Sequence, residues 1–450
     1  MEENRIRPVS IALTAACLAV VVVAGQAPAP TPIQPPPDPT VVGKTPEGFT
    51  LRLARKTNHI SNYNESSVPA YTLPDPLVMF DGRPVRTAAD WKARRAEILK
   101  TYEEDVYGRV PANAPKVRWE VGSPDPAARA GAVLRRVVGT IGANAEAPKI
   151  NLNIYTPSNA SGPVPVILLV NFGGGPARGA GPGAPPAAPA PAGPGRGNAA
   201  PGQPPVADEI LARGWGYATV GYADIQPDRA NSFTGGVIGT TLAAGQTRPA
   251  PGDWGTISAW SWGISRIIDY FETDRSIDAK RVAVQGFSRL GKTVLWASAM
   301  DERIAAVFSG CGGEMGSSLA RRDFGETVDD MAQNYHWQFN SRFQQWVGRW
   351  HDMPVDAHML IALSAPRPVF ITGGTTDQWS DPKGEFLAEV AASPVYQLLG
   401  GKGVGATDLP PVDTTLATGD LGWHYHTGGH TLTVDEWKAF LVFMDRYFKH

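Results

Sequence analysis

Cysteine is scarce in this sequence: there are two, Cys17 and Cys311, in 450 residues. A disulfide framework is therefore excluded, and stability has to come from a hydrophobic core. Charge of one sign is scarce too. Forty-one Lys and Arg stand against 43 Asp and Glu, a formal net charge of -2, and no long basic block occurs. That balance gives no support to a polyanion-binding surface, so nucleic acid is not an expected partner. No internal repeat, nucleotide fingerprint or metal-ligand spacing is visible, and no cofactor or metal is expected. The apolar run from Val9 to Ala24 is short for a membrane span, which needs about 20 residues.

That run nevertheless has a meaning. Arg5 and Arg7 precede it, and Gly25-Gln26-Ala27 and a Pro/Ala tract follow. A basic start, a short apolar core and small residues at the exit predict a signal peptide over 1–27, hence a secreted or periplasmic protein with no stable membrane association after cleavage. An uncleaved anchor is the alternative. Cleavage would remove Cys17 and leave Cys311 alone. Residues 28–43 read as a Pro-rich linker and 44–450 as one catalytic domain, expected to be monomeric. A Gly/Pro/Ala stretch over 174–206 reads as a low-complexity insertion that cannot bury enough surface to order itself. Thirteen Trp suit sugar-binding faces, although most tryptophans fill cores.

The remainder alternates strand and helix. Val117–Val121, Ala132–Ile141 and Ile150–Tyr155 have strand periodicity, and 164–172 is apolar throughout, as for a central strand covered on both faces. Strands are also predicted at Gly216–Gly221, Ile304–Ser309, Pro368–Gly373 and Leu421–His426. Helices are predicted from Asp90, as N-cap, to Val106, and at Asp208–Arg213, Trp254–Phe271, Pro354–Leu363, from Glu385, and at Val434–Tyr447. Such alternation implies a three-layer αβα sandwich around a mostly parallel central sheet.

The stretch that organises the chain is Arg281-Val282-Ala283-Val284-Gln285-Gly286-Phe287-Ser288-Arg289-Leu290-Gly291-Lys292. A β-branched strand runs into a glycine-flanked serine, and a helical pattern follows. This is the strand–turn–helix of a nucleophile elbow, which lifts a hydroxyl out of the sheet beside the free N–H groups of a helix start. Leu290 occupies the last glycine position of G-x-S-x-G, and Gly291 follows one later. Gly173-Gly174-Gly175, after the early central strand, could supply an oxyanion N–H or simply enter the insertion.

In an elbow hydrolase the serine's partners follow in the order acid, then histidine, on loops at the carboxyl ends of later strands. Asp377 follows the strand ending near Gly373, and His430 lies between the last strand and the last helix. His424 and His426 alternate within the strand-like run and are expected to line the sheet. Asp381, before Pro382, reads as a helix cap, while Glu314 and Glu326 are rival acids.

The motif Gly286-Phe287-Ser288-Arg289-Leu290-Gly291-Lys292 resembles the G-x-S-R-x-G of the glucuronoyl esterases, carbohydrate esterase family 15, which have the α/β-hydrolase fold. Asp253-Trp254-Gly255-Thr256, Ser309-Gly310-Cys311-Gly312-Gly313, Gly325-Glu326-Thr327-Val328, Ala365-Pro366-Arg367-Pro368, Asp377-Gln378-Trp379-Ser380-Asp381-Pro382 and Gly428-Gly429-His430 extend the resemblance over most of the chain. It implies hydrolysis of the esters that join glucuronic or 4-O-methylglucuronic acid on xylan to lignin alcohols. By the same resemblance Ser288 is the nucleophile, His430 the base and Arg289 an oxyanion donor, while Lys292, Glu326 and Trp379 contact the sugar. One departure stands out. Many members carry the triad acid in the Ser-Gly-x-Gly-Gly segment, where this chain has Cys311, so the acid's role falls to Asp377, as in other members. Each of these residues also has a plain structural alternative. Arg289 could form a surface ion pair, Lys292 a solvated helix face, Glu326 a cap or structural pair, Trp379 a core residue, and Cys311 a small buried hydrophobe. Two rival functions remain: an acetylxylan or general carboxylesterase on plant polysaccharide, and a catalytically silent carbohydrate-binding relative.

Overall fold

A computed structural model describes residues 40–143, 147–173 and 203–448. The expected signal peptide, the linker up to residue 39 and the insertion over 174–202, with Gly174 and Gly175, lie outside the described residues. The flanks of those segments are structured. Val41–Lys44 is already a strand, and Val206, at the end of the expected insertion, is buried against the core.

Strand β1 (Val41–Lys44), β2 (Thr50–Ala54) and β3 (His59–Ile60) form a small antiparallel sheet that sequence reasoning missed. The rest of the strands build an 11-stranded sheet. These are β4 (Val117–Val121), β5 (Asp125–Arg129), β6 (Ala132–Ile141), β7 (Lys149–Pro157), β8 (Val164–Asn171), β9 (Gly216–Gly221), β10 (Ile277–Phe287), β11 (Ala306–Gly310), β12 (Val369–Gly374), β13 (Thr414–Leu416) and β14 (Leu421–His426). Their order is β13-β14-β12-β11-β10-β8-β9-β7-β6-β4, with β5 paired to β6. The run β14-β12-β11-β10-β8-β9 is parallel, as expected where helices intervene between strands. The flanking strands β4 to β7, and β13 at the other edge, pair antiparallel, and short connections make the returns from β5 to β6, β6 to β7 and β13 to β14.

The apolar run of β8 explains the layering. Val166, Leu168 and Val170 face one core, and Ile167 and Leu169 the other. Helices Ala88–Asp105, Thr256–Phe271, Arg289–Met300, Ala357–Ala362 and Pro382–Leu398 contribute to the first core. Helices Ala207–Ala212 and Val434–Met444 cover the opposite face. This is the αβα sandwich anticipated from the alternation. One cap differs from expectation. The first long helix starts at Ala88 with Thr87 as N-cap, and Asp90 is the acidic partner of a capping box: Asp90 N–H donates to Thr87 Oγ1 (3.1 Å) and Thr87 N–H to Asp90 Oδ2 (3.0 Å).

Candidate active site

Strand β10 ends at Phe287, and the helix Arg289–Met300 begins two residues later. Ser288 between them has φ 59° and ψ −130°, a strained backbone for a side-chain-bearing residue, of the kind that clusters at functional sites. Two glycines make the turn possible. A Cβ on Gly286 would lie 2.1 Å from Leu290 O, and one on Gly291 would lie 2.8 Å from Ser309 Oγ. The close approach thus falls on Gly291, and Leu290 is free to bury its side chain completely. Ser288 N–H donates to Gly310 O (2.8 Å), which ties the elbow to the end of β11.

Three strand ends converge on the hydroxyl. His430 Nε2 is 2.9 Å from Ser288 Oγ, and His430 Nδ1 is 2.8 Å from Asp377 Oδ2. The carboxylate only accepts, so Nδ1 carries the proton and Nε2 presents its lone pair to the serine. The loops after β12 and β14 are stitched together: Thr376 N–H donates to Gly428 O (2.7 Å) and Gly428 N–H to Thr375 Oγ1 (3.1 Å). His424 and His426 are buried in β14, as expected, and His426 Nε2 is 3.2 Å from Gly429 O, beneath the His430 loop. Burial opposes charge on His426, but Glu436, 3.0 Å away, raises its pKa overall.

The rival acids lie elsewhere. Asp381 caps the following helix, accepting from Gly384 N–H (3.0 Å), and pairs with Arg322 (2.8 Å). Glu314 is fully enclosed, and burial together with the nearby Asp356 pushes its carboxyl well above the ordinary range. Cys311, in the segment after β11, is buried beside the Asp–His pair, its sulfur 3.8 Å from Thr431 O. Burial and the Asp377 carboxylate push its thiol pKa up, which leaves it a neutral group.

Ser288, His430 and Asp377 open onto a cavity of about 480 Å³. Arg289, Lys292, Glu326 and Trp379 line the same cavity. Lys292 is only 4 % exposed, which rules out a solvated helix face. Its Nζ donates to Glu314 O (2.5 Å) and lies 3.5 Å from Glu326 Oε2, while Trp379 Nε1–H donates to Glu326 Oε1 (2.9 Å). Trp379 is half-buried rather than core, and the Arg52 guanidinium sits 5.3 Å from its ring centroid.

Several contributors had no sequence signal. Phe49, Thr50, Arg52 and Tyr63 reach the cavity from the small N-terminal sheet and the loop after it, in a region whose turns and short strands show no clear period. Asp228 was missed because a lone acid between Pro227 and Arg229 looks like any turn residue. Its carboxylate, nearly inaccessible, bonds the Arg289 guanidinium and accepts from Trp337 Nε1–H (2.6 Å) and Gln338 Nε2–H (3.0 Å). Burial disfavours the charge on Arg289, yet Asp228 more than offsets this and raises its pKa.

Comparison with known proteins now adds to the geometry. A family model described as glucuronyl esterase of fungi matches residues 250–400, which span the elbow and the Asp377 loop. The carbohydrate esterase MZ0003, from an unknown prokaryotic organism, is 38% identical over 440 residues, covering 91% of this chain and 94% of that protein. The chain belongs to the glucuronoyl esterases, carbohydrate esterase family 15. The solved glucuronoyl esterase from Solibacter usitatus is 39% identical to this esterase with a TM-score of 0.75, over 84% of this chain and 98% of that one. A CE15 esterase from a marine bacterial metagenome, described as promiscuous, is 37% identical with a TM-score of 0.74, over 86% and 100%. The family and the α/β-hydrolase architecture implied by the spaced motifs are thereby borne out in the esterase, with the antiparallel flank as an addition.

Proposed function

We propose that this esterase is a serine hydrolase that cleaves esters between glucuronic or 4-O-methylglucuronic acid on xylan and lignin alcohols. Ser288 Oγ attacks the ester carbonyl while His430 Nε2 takes its proton, and Asp377 holds the imidazole tautomer and stabilises the imidazolium. The oxyanion is met by the Arg289 backbone N–H, at the start of its helix, and by its guanidinium. Collapse breaks the bond to the alcohol, which leaves with the proton from His430. Water then repeats the sequence on the glucuronoyl-serine and releases the free acid. Lys292, Glu326 and Trp379 receive the ring hydroxyls, a set of groups that an acetyl ester would not use.

The observation that carries this reading is the continuous Asp377–His430–Ser288 chain opening onto a cavity walled by the Lys292–Glu326–Trp379 chain. Comparing benzyl glucuronate with 4-nitrophenyl acetate tests it, alongside Ser288→Ala. The glucuronate ester should be strongly preferred and Ser288→Ala should abolish turnover of both while the fold is retained. Activity of Ser288→Ala within a few-fold of wild type would sink the mechanism. One relative's description as promiscuous favours a second reading, a broader carboxylesterase, and equal rates on the two esters would select it. The protein acts outside the cytoplasm, a reading supported by its basic-then-apolar N-terminus. No helix among the described residues is long and apolar enough to cross a membrane.

A further inference from the structure

We propose that Cys311, Asp377 and His430 form an inhibitory site for a soft divalent metal ion such as zinc or cadmium, which silences the esterase by holding His430 in the wrong tautomer. The Cys311 sulfur, an Asp377 carboxylate oxygen and a His430 ring nitrogen all lie within 4.8 Å of one another. Donors on a tetrahedral zinc ion sit about 2.0–2.3 Å from the metal, so they must stand roughly 3–4 Å apart. The Asp377–His430 bond, at 2.8 Å, has to open by only a fraction of an ångström to admit the ion. Thiolate, imidazole and carboxylate are the ligand types zinc takes.

The surroundings favour a cation. The thiol feels the carboxylates of Asp377 and Glu436, while burial pushes the Glu385 carboxyl well above the ordinary range. All three ligand residues line or open onto the active-site cavity, which gives the ion a path in and leaves a fourth position for water. The neutral thiol is no nucleophile, but a metal ion replaces its proton directly.

Coordination balances as follows. The Cys311 S–H bond breaks, its proton goes to solvent, and sulfur binds the metal as thiolate. Nδ1 of His430 gives up its hydrogen to bind the metal, and Nε2 gains one, so the imidazole stays neutral overall. Asp377 exchanges its histidine bond for the metal. Nε2 then carries a hydrogen and has no lone pair for the Ser288 proton. The metal-binding claim stands independently of catalysis, whereas inhibition rests on His430 serving as the base proposed above.

Calorimetric titration of tag-free Ser288→Ala protein with zinc sulfate and cadmium chloride separates the two. One ion should bind per chain, and adding Cys311→Ser should weaken binding at least by the about 10–100-fold that losing even an outer-shell partner costs. In the active enzyme both metals should inhibit, EDTA should restore activity, magnesium should do nothing, and Cys311→Ser should shift the inhibitory concentration by the same factor. Cys311→Ala serves as the second variant should the serine form fail to fold. Equal zinc binding with and without Cys311, or no binding at all, overturns the site. Cys311-dependent binding that leaves ester hydrolysis untouched overturns the inhibition and, with it, the role of His430 as base.

Discussion

Replacing Asp377 with Asn probes the arrangement at its most informative point. Asn has nearly the shape of Asp, so the backbone bonds at this position, Asp377 N–H to Gly374 O and Ser380 N–H to Asp377 O (both 3.0 Å), should survive. What changes is the polarity of one contact. Asp377 Oδ2 now accepts from His430 Nδ1 at 2.8 Å. An amide nitrogen in that place would donate, which selects the tautomer with hydrogen on Nε2, the nitrogen 2.9 Å from Ser288 Oγ. No base then faces the nucleophile. In a serine–histidine–aspartate system this defect costs about 10⁴ in kcat, equivalent to about 5 kcal/mol of transition-state stabilisation. Steady-state hydrolysis of benzyl glucuronate, with thermal unfolding as the control for folding, measures it. Glu314→Gln should be mild by contrast, because burial already holds Glu314 well toward its neutral form, which Gln imitates. Cys311→Ser should also be mild without added metal. A crippling Glu314→Gln together with a tolerated Asp377→Asn would refute the assignment of the acid.

Three further outcomes are expected. Arg289→Ala should lower kcat by about 10²–10³, as loss of an oxyanion donor does, and Asp228→Asn should act in the same direction but more weakly by releasing the guanidinium; a change confined to KM would make Arg289 a ground-state contact instead. Lys292→Ala and Glu326→Ala should impair glucuronate esters far more than acetate esters, and equal losses on both would reject their role as sugar contacts. Burial, with Glu326 nearby, pushes Asp330 up to about 6, so the folded state holds its proton more tightly than the unfolded chain does. That contribution is present in full below about pH 4 and is lost as pH rises through 6, by roughly 3 kcal/mol at most. The stability of wild type relative to Asp330→Asn, measured by urea unfolding, should therefore fall across that window, and a flat difference would refute it.

Wherever local chemistry is decisive, the sequence alone sufficed. The β-branched run ending at Gly286, the serine, and the helical spacing from Leu290 specify the elbow, because a strand and a helix differ in period and only glycine fits the close approaches between them. Chain order and strand ends put Asp377 and His430 forward for a related reason, with Glu314 and Glu326 left open as acids: parallel strands deliver all their carboxyl ends to one edge. Gly216–Gly221 and Leu421–His426 were legible to the residue as strands.

What only the tertiary structure decided is which distant side chains meet. Arg52 reaches Trp379 because Asn62 O accepts from Gly325 N–H (2.7 Å) and draws the small N-terminal sheet over the cavity. Asp228 clamps Arg289 from a segment 61 residues away. For Lys292 a solvated helix face was only the alternative to a sugar contact, and packing decides against it: Glu314, Glu326 and Met331, which arrive from the segments after β11, enclose the side chain. The Cys311 slot could be read as a departure from the family pattern, but its placement beside Asp377 and His430 is a matter of three strand ends in space. Periodicity and turn chemistry are properties of neighbours along the chain. The partners of a buried charge are set by packing between elements far apart in sequence, for which no local pattern exists.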